Sequence, residues 1–259
     1  MIRPATLRGA AGLVVLLALW QVSVPLVGLE AWFYPSPLDV ARAFVDLVRK
    51  GILPVDIVDS LRRYLIGVTI GTTLGVGMGV LIGLNRLADR MLGPLINFLF
   101  AIVEVAWIPI FVIWWGYGIK TILVALCYVV FFPVLYNTIL GIRMAPQVLV
   151  NAVRSLGGGR IEVLTNVVLP SALPNIITGF RVGAGFAFRG LIFAEVIAAK
   201  TGVGYLIFQG AAHQQTDRTI VGMIVMGSLW LLIDNMYLKP FERATVERWG
   251  QVITAEQRE

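Results

Sequence analysis

The chain has 259 residues, 58% of them hydrophobic and 14% charged, with a mean hydropathy of +0.84. Soluble domains carry about 45–50% apolar and about 25% charged residues, so a water-soluble core cannot absorb this excess. The formal charge of +6 and pI near 9.8 do not point to nucleic acid. The basic residues stand singly at the ends of apolar segments, not in a stripe that tracks phosphates.

A helix crossing about 30 Å of hydrocarbon needs about 20 mostly apolar residues, because every backbone polar group must be satisfied within the segment. Six stretches qualify, at 8–28, 60–84, 93–115, 120–142, 173–198 and 219–238. They run nearly end to end without a polar linker, which predicts an all-α integral membrane protein with one domain over 1–259. Arg3 and Arg8 precede the apolar run from Leu13 to Leu29 as they would in a signal peptide, but no small-x-small cleavage pattern follows, and the segment is expected to persist as a helix. An even number of spans puts both termini on one side. Placing them inside gives the cytoplasmic side the larger share of Lys and Arg, as topology favours.

Between the first two stretches, Tyr34-Pro35-Ser36-Pro37 breaks the chain ahead of Leu38–Lys50. There Val40, Ala43, Phe44, Leu47 and Val48 recur at helical spacing among Asp39, Arg42, Asp46 and Arg49, which predicts an amphipathic helix on the outer surface. The polar residues 239–259, with Glu242, Arg243, Glu247 and Arg248, are expected to form a short cytoplasmic tail. Cys127 lies in an apolar run and reads as a small packed hydrophobe, and His213, in an outer segment, as a solvated loop residue. One Cys and one His leave no metal-ligand or acid–base constellation, so neither a metal site nor a catalytic residue is expected.

In the second stretch Gly67, Gly71, Gly75, Gly79 and Gly83 recur at every fourth position. Such a ladder strips one helix face and lets another backbone approach closely, which drives association where lipid offers no hydrophobic force. Helix packing is the plain reading, and a sliding surface the alternative.

The polar interruption at 143–172 is unusually ordered. Leu149, Ala152, Val153 and Leu156 fall at i, i+3, i+4 and i+7. Gly157-Gly158-Gly159 then stops the helix, and Ile161, Leu164 and Val168 restart an apolar stripe ending at Leu169-Pro170. Two short amphipathic helices with a glycine hinge are predicted, and an apolar face outside the membrane is expected to bury itself in another protein.

Asn151-Ala152-Val153-Arg154-Ser155-Leu156-Gly157, followed by Val168-Leu169-Pro170-Ser171-Ala172-Leu173-Pro174, resembles the EAA loop of binding-protein-dependent ABC importer permeases. Ala106-Trp107-Ile108-Pro109, Trp115-Gly116-Tyr117-Gly118, Phe131-Phe132-Pro133, Glu195-Val196-Ile197-Ala198-Ala199 and Gly202-Val203-Gly204-Tyr205 resemble its sulfonate, taurine, nitrate and bicarbonate branch. The likeness covers residues 32–240. It implies the type I importer permease fold, six transmembrane helices with a cytoplasmic coupling helix, in a bacterial inner membrane. It further implies a homodimer, two cytoplasmic ABC ATPase subunits that hold ATP and magnesium, and an extracytoplasmic solute-binding protein. Ala152, Val153 and Gly157 would lie at the ATPase contact, with Asn151, Leu156, Leu169 and Pro170 in the same loop. Asn151 stands where the family usually has glutamate, so a salt bridge from that position is not expected.

Intramembrane charges mark a pathway or a pair. Glu104, Arg181, Arg189, Glu195 and Asp234 qualify. Arg189, about 24 Å along its helix from Leu173, is the first candidate for the translocation path, where it would attract an anionic group. Its plain alternative is an ion pair with Glu104 or Glu195. Glu104 lies beside Trp107, where this branch more often has an arginine and prolines; it would bind an ammonium group or neutralise Arg189. Trp107 and Glu195 complete the candidate path.

No G-x-x-x-x-G-K-[ST] phosphate loop occurs, so ATP chemistry would come from another polypeptide and this chain would bind no cofactor. The expected function is thus a permease for a small polar solute, an anion or zwitterion, not an enzyme. An ATP-independent channel or secondary carrier is the alternative, disfavoured by the coupling-type loop and the absence of a convincing inverted repeat.

Overall fold

The computed structural model describes residues 4–28, 30 and 32–242. Of the expected tail, residues 243–259 lie outside the described residues, as does Arg3. Among the described residues twelve α-helices follow one another: α1 (Pro4–Val27), α2 (Pro37–Arg49), α3 (Ile52–Leu84), α4 (Arg86–Ala101), α5 (Ile108–Trp115), α6 (Ile119–Arg143), α7 (Gln147–Ser155), α8 (Arg160–Val163), α9 (Leu169–Ala198), α10 (Val203–Ala212), α11 (Thr216–Ile233) and α12 (Lys239–Glu242). A 3-10 turn, Glu104–Trp107, precedes α5, and single π-helical turns at Leu164–Val168 and Asp234–Leu238 precede α9 and α12. Among the described residues the fold is all-helical, as the long apolar segments predict.

Ile52–Leu84, Ile119–Arg143, Arg160–Ala198 and Thr216–Met236 are each long and apolar enough to cross a membrane. The segment expected as a single span at 93–115 is instead two helices, Arg86–Ala101 and Glu104–Trp115, bent by 92°. Ile102 and Val103 leave the helix in extended conformations, which ends the hydrogen-bond ladder there. α1 runs for 24 residues, Pro4–Val27, over the first of the expected stretches. The expected second short helix of the loop is also different: Arg160 to Ala198 forms one 39-residue helical run, about 58 Å long. The π turn absorbs the junction, so the fifth crossing is mechanically continuous with the loop.

The described residues group into two compact units, Met1–Ser60 with Thr201–Ser228, and Leu61–Lys200 with Leu229–Glu259. In the first, α2 starts with a reciprocal capping box. Asp39 N–H donates to Ser36 Oγ at 3.2 Å, while Ser36 N–H and Oγ–H donate to Asp39 Oδ2 at 3.1 and 2.7 Å. Those donors hold the Asp39 carboxyl below its ordinary carboxylate range. Of the expected apolar face Val40, Ala43 and Leu47 are buried, whereas Phe44 and Val48 at its edge stay exposed. The first turns of α3 cap α10: Asp56 Oδ1 accepts from Gly202 N–H at 2.7 Å, Ser60 Oγ from Val203 N–H at 2.9 Å, and Asp59 Oδ2 from the Thr201 hydroxyl at 2.6 Å.

In the second unit the glycine ladder of α3 lies along α6. A Cβ at Gly71 would stand 2.9 Å from Cys127 O, one at Gly75 2.9 Å from Phe131 O, and one at Gly79 2.6 Å from Thr138 Cβ. Gly67 and Gly83 meet Leu126 and Ile142 just as closely, whereas Gly77 faces open space. Gly141 and Gly179 repeat the device between α6 and α9, against Ala172 O and Pro133 O. Small residues thus bring α3 and α9 against α6 at backbone distance.

Candidate functional site

Two regions of the second unit collect the candidate residues. The first is the polar loop. Val150, Val163, Val167 and Val168 are buried with Ile142, Ala145 and Ala172, which fastens the loop to the ends of α6 and α9. Its other face is apolar and open: Val148 is 79%, Leu156 88% and Ile161 77% exposed, with Leu149 alongside. Asn151, Ala152 and Gly157 are exposed, and Val153, Leu169 and Pro170 half-buried. Gly157 reverses the chain at φ +86°, a conformation that favours glycine. Gly158 N–H donates to Val153 O at 2.9 Å and Gly159 N–H to Glu162 Oε2 at 2.7 Å, closing the turn on itself. The glycine run therefore makes a fixed corner between α7 and α8.

Beside this loop a cleft of about 1080 Å³ is lined by Arg86, Arg90, Arg143, Arg154 and Arg160, with Asp89 as its one acid. Asp89 is taken by Arg143 at 2.8 Å. The cleft is strongly positive.

The second region is the break between α4 and α5. Glu104 stands half-buried at the start of the 3-10 turn, in a cavity of about 280 Å³ with Phe100, Tyr128, Phe132, Pro133 and Phe186. Trp107 stacks on Phe111 with centroids 5.8 Å apart and lies 5.7 Å from Tyr128, whose hydroxyl donates to Leu99 O. Leu99 O also accepts from Ile102 N–H at 3.1 Å, so the phenol is a second donor at the end of α4.

The other intramembrane charges sort by partner. Glu195, fully buried, pairs with Arg63 at 2.8 Å, and Arg63 is only 11% exposed. The pair expected as an alternative for Arg189 thus involves a different arginine. Arg189 is exposed and has no acidic partner among the described residues. It shares the open face of α9 with Val182, Phe186 and Phe193. Arg181 and Lys239 both approach Asp234, at 3.7 and 2.9 Å. His213 closes α10, its Nδ1 2.9 Å from Gln209 O.

Sequence reading did not find Arg63 as the partner of Glu195, nor the aromatic lining around Glu104. The first had a signal: Asp56, Asp59, Ser60 and Arg63 form a polar stripe at helical spacing on an apolar helix. The second had none, because Phe100, Glu104, Tyr128 and Phe186 belong to separate segments.

Residues 71–238 match the family of binding-protein-dependent transport system inner membrane components. The chain belongs to this family. The permease is 38% identical over 221 residues to the putative aliphatic sulfonates transport permease protein SsuC of Escherichia coli (strain K12), covering 85% of this chain and 83% of that one. It is 29% identical over 245 residues to the taurine transport system permease protein TauC of the same organism, covering 93% and 89%. It is 31% identical over 191 residues to the bicarbonate transport system permease protein CmpB of Synechococcus elongatus, covering 73% and 66%. Among solved structures, an inward-facing conformation of the MetNI methionine ABC transporter superposes with a TM-score of 0.65 at 18% identity, covering 76% of the permease and 97% of that chain. The permease therefore has the type I ABC importer fold, and it is a multi-pass membrane transport subunit.

Proposed function

We propose that this permease forms the translocation path of an ABC importer for a small anionic or zwitterionic solute, and that separate ATPase subunits drive it through the loop at 147–157. The observation that carries this reading is the two-faced loop, one face fastened to α6 and α9 and the other an exposed apolar surface ending at Leu156. Exposed apolar surface of this kind marks a protein contact. Because Arg160 to Ala198 is one helical run, force applied at the loop passes directly to the intramembrane segment carrying Arg189. Alternating access follows if two arrangements of these packed helices differ in which side the path faces.

On this reading two copies of the chain flank the path, two cytoplasmic ATPases hold ATP and magnesium, and a solute-binding protein delivers cargo from outside. The positive cleft beside the loop supports placing the loop, and with it both termini, in the cytoplasm. Glu104, Trp107 and Arg189 line the path, while Glu195 with Arg63 fixes α9 against α3 behind it. Sulfonate, taurine and bicarbonate, the solutes named for the relatives, belong to the class proposed. Co-purification tests the reading: the permease should retain a nucleotide-hydrolysing subunit, and Leu156→Asp should release it without unfolding the permease. An ATP-independent carrier would retain none, and a loop labelled from outside the cell would also overturn the proposal.

A further inference from the structure

Where α4 ends, the chain leaves the helix for two residues and re-enters a helical turn at Glu104, and the resulting notch is the cavity of about 280 Å³. Its walls carry four aromatic rings, Phe100, Tyr128, Phe132 and Phe186, and its one ionisable lining group besides the Tyr128 phenol is the Glu104 carboxylate. The rings brace one another, with Phe132 centroids 4.9 Å from Tyr128 and 5.5 Å from Phe100. No basic side chain reaches ion-pair distance of Glu104 among the described residues, and none lines the cavity. Arg63, Arg143 and Arg181, which have acidic partners, are engaged elsewhere.

A half-buried carboxylate among rings is costly unless a counter-charge meets it. The ring faces carry negative potential, so they attract a cation and add nothing for an anion. Aromatic rings around a carboxylate therefore select an ammonium group, primary or methylated. Phe186, one wall of the cavity, precedes Arg189 by three residues, about 4.5 Å of helix rise, and both are on the open face of α9.

Resting on the reading that Glu104 and Arg189 line the path, we propose that the cavity is an ammonium subsite. The Glu104 carboxylate and the surrounding rings receive the positive end of a zwitterionic solute, and Arg189 pairs with its acid group. The carboxylate thereby excludes simple inorganic anions from the cavity and narrows the cargo to amine-bearing acids.

The probe is tetramethylammonium, titrated by calorimetry into the permease with its ATPase in lipid nanodiscs. Wild type should bind it saturably. Glu104→Gln should weaken binding by about tenfold or more, and Phe186→Ala, at an exposed position, by about threefold. Equal binding by wild type and Glu104→Gln, or no saturable binding by wild type, overturns the subsite. If Glu104→Gln fails to fold, Phe186→Ala decides: unchanged affinity overturns the proposal. A homodimer that dissociates on Glu104→Gln would assign the carboxylate to a cation of the second copy and would also overturn it. Retention of the ATPase is read in the same preparation, so loss of the importer reading is distinguishable from loss of the subsite.

Discussion

The carboxylate of Glu195, wholly buried in α9, lies 2.8 Å from the guanidinium of Arg63 on α3, 132 residues earlier in the chain. Removing one partner of such a pair leaves an uncompensated charge away from water, which costs about 3–5 kcal/mol. Arg63→Ala should therefore destabilise the permease strongly, and Arg63→Ala with Glu195→Gln should recover a large part of the loss. Thermal unfolding of the two variants in detergent checks this. Equal melting temperatures for the single and double variants would refute the coupling.

The glycine ladder gives an internal control. A methyl at Gly75 meets Phe131 O and Val134 Cβ at 2.9 Å, whereas one at Gly77 meets nothing within 4 Å. Gly75→Ala should cost about 1–3 kcal/mol through overpacking. Gly77→Ala should be neutral or slightly stabilising, since alanine favours helix. Unfolding midpoints of both variants, prepared alike, decide between close packing and a face that tolerates sliding.

Arg189 stands on the open face of α9 without an acidic partner among the described residues. Arg189→Ala should lower solute uptake at least about tenfold, the worth of a charge-assisted hydrogen bond, with ATPase retention and melting temperature unchanged. Unaltered uptake in proteoliposomes would remove Arg189 from the path.

Gly157 turns the loop at φ +86°, where a Cβ costs about 1–2 kcal/mol. Gly157→Val should tilt α7 relative to α8 and weaken ATPase retention, while Gly159→Ala, at a negative φ of −79° and with no close neighbour, should leave it intact. Pull-down of the hydrolase with each variant measures the difference.

The capping box of α2 predicts a pH effect. The Asp39 carboxyl is held below its unfolded value of about 3.9. Its contribution is complete above that pH and fades as pH falls through the lower, folded value. Ser36→Ala should remove about 1 kcal/mol from the helix start at neutral pH. Amide exchange across Asp39–Arg42 should rise in the variant, and in wild type only under acid.

The apolar content and segment lengths determined a multi-pass helical membrane chain, because lipid admits few other arrangements of an unbranched backbone. Local spacing was enough for the helix α2, the close-packing glycines and the first helix of the loop. Only the tertiary structure decided the bend at Ile102–Val103, because neither glycine nor proline marks the break. It alone joined Arg63 to Glu195, and Glu104 to rings from three other segments. Side chains far apart in sequence become neighbours through packing geometry, and no local period encodes that.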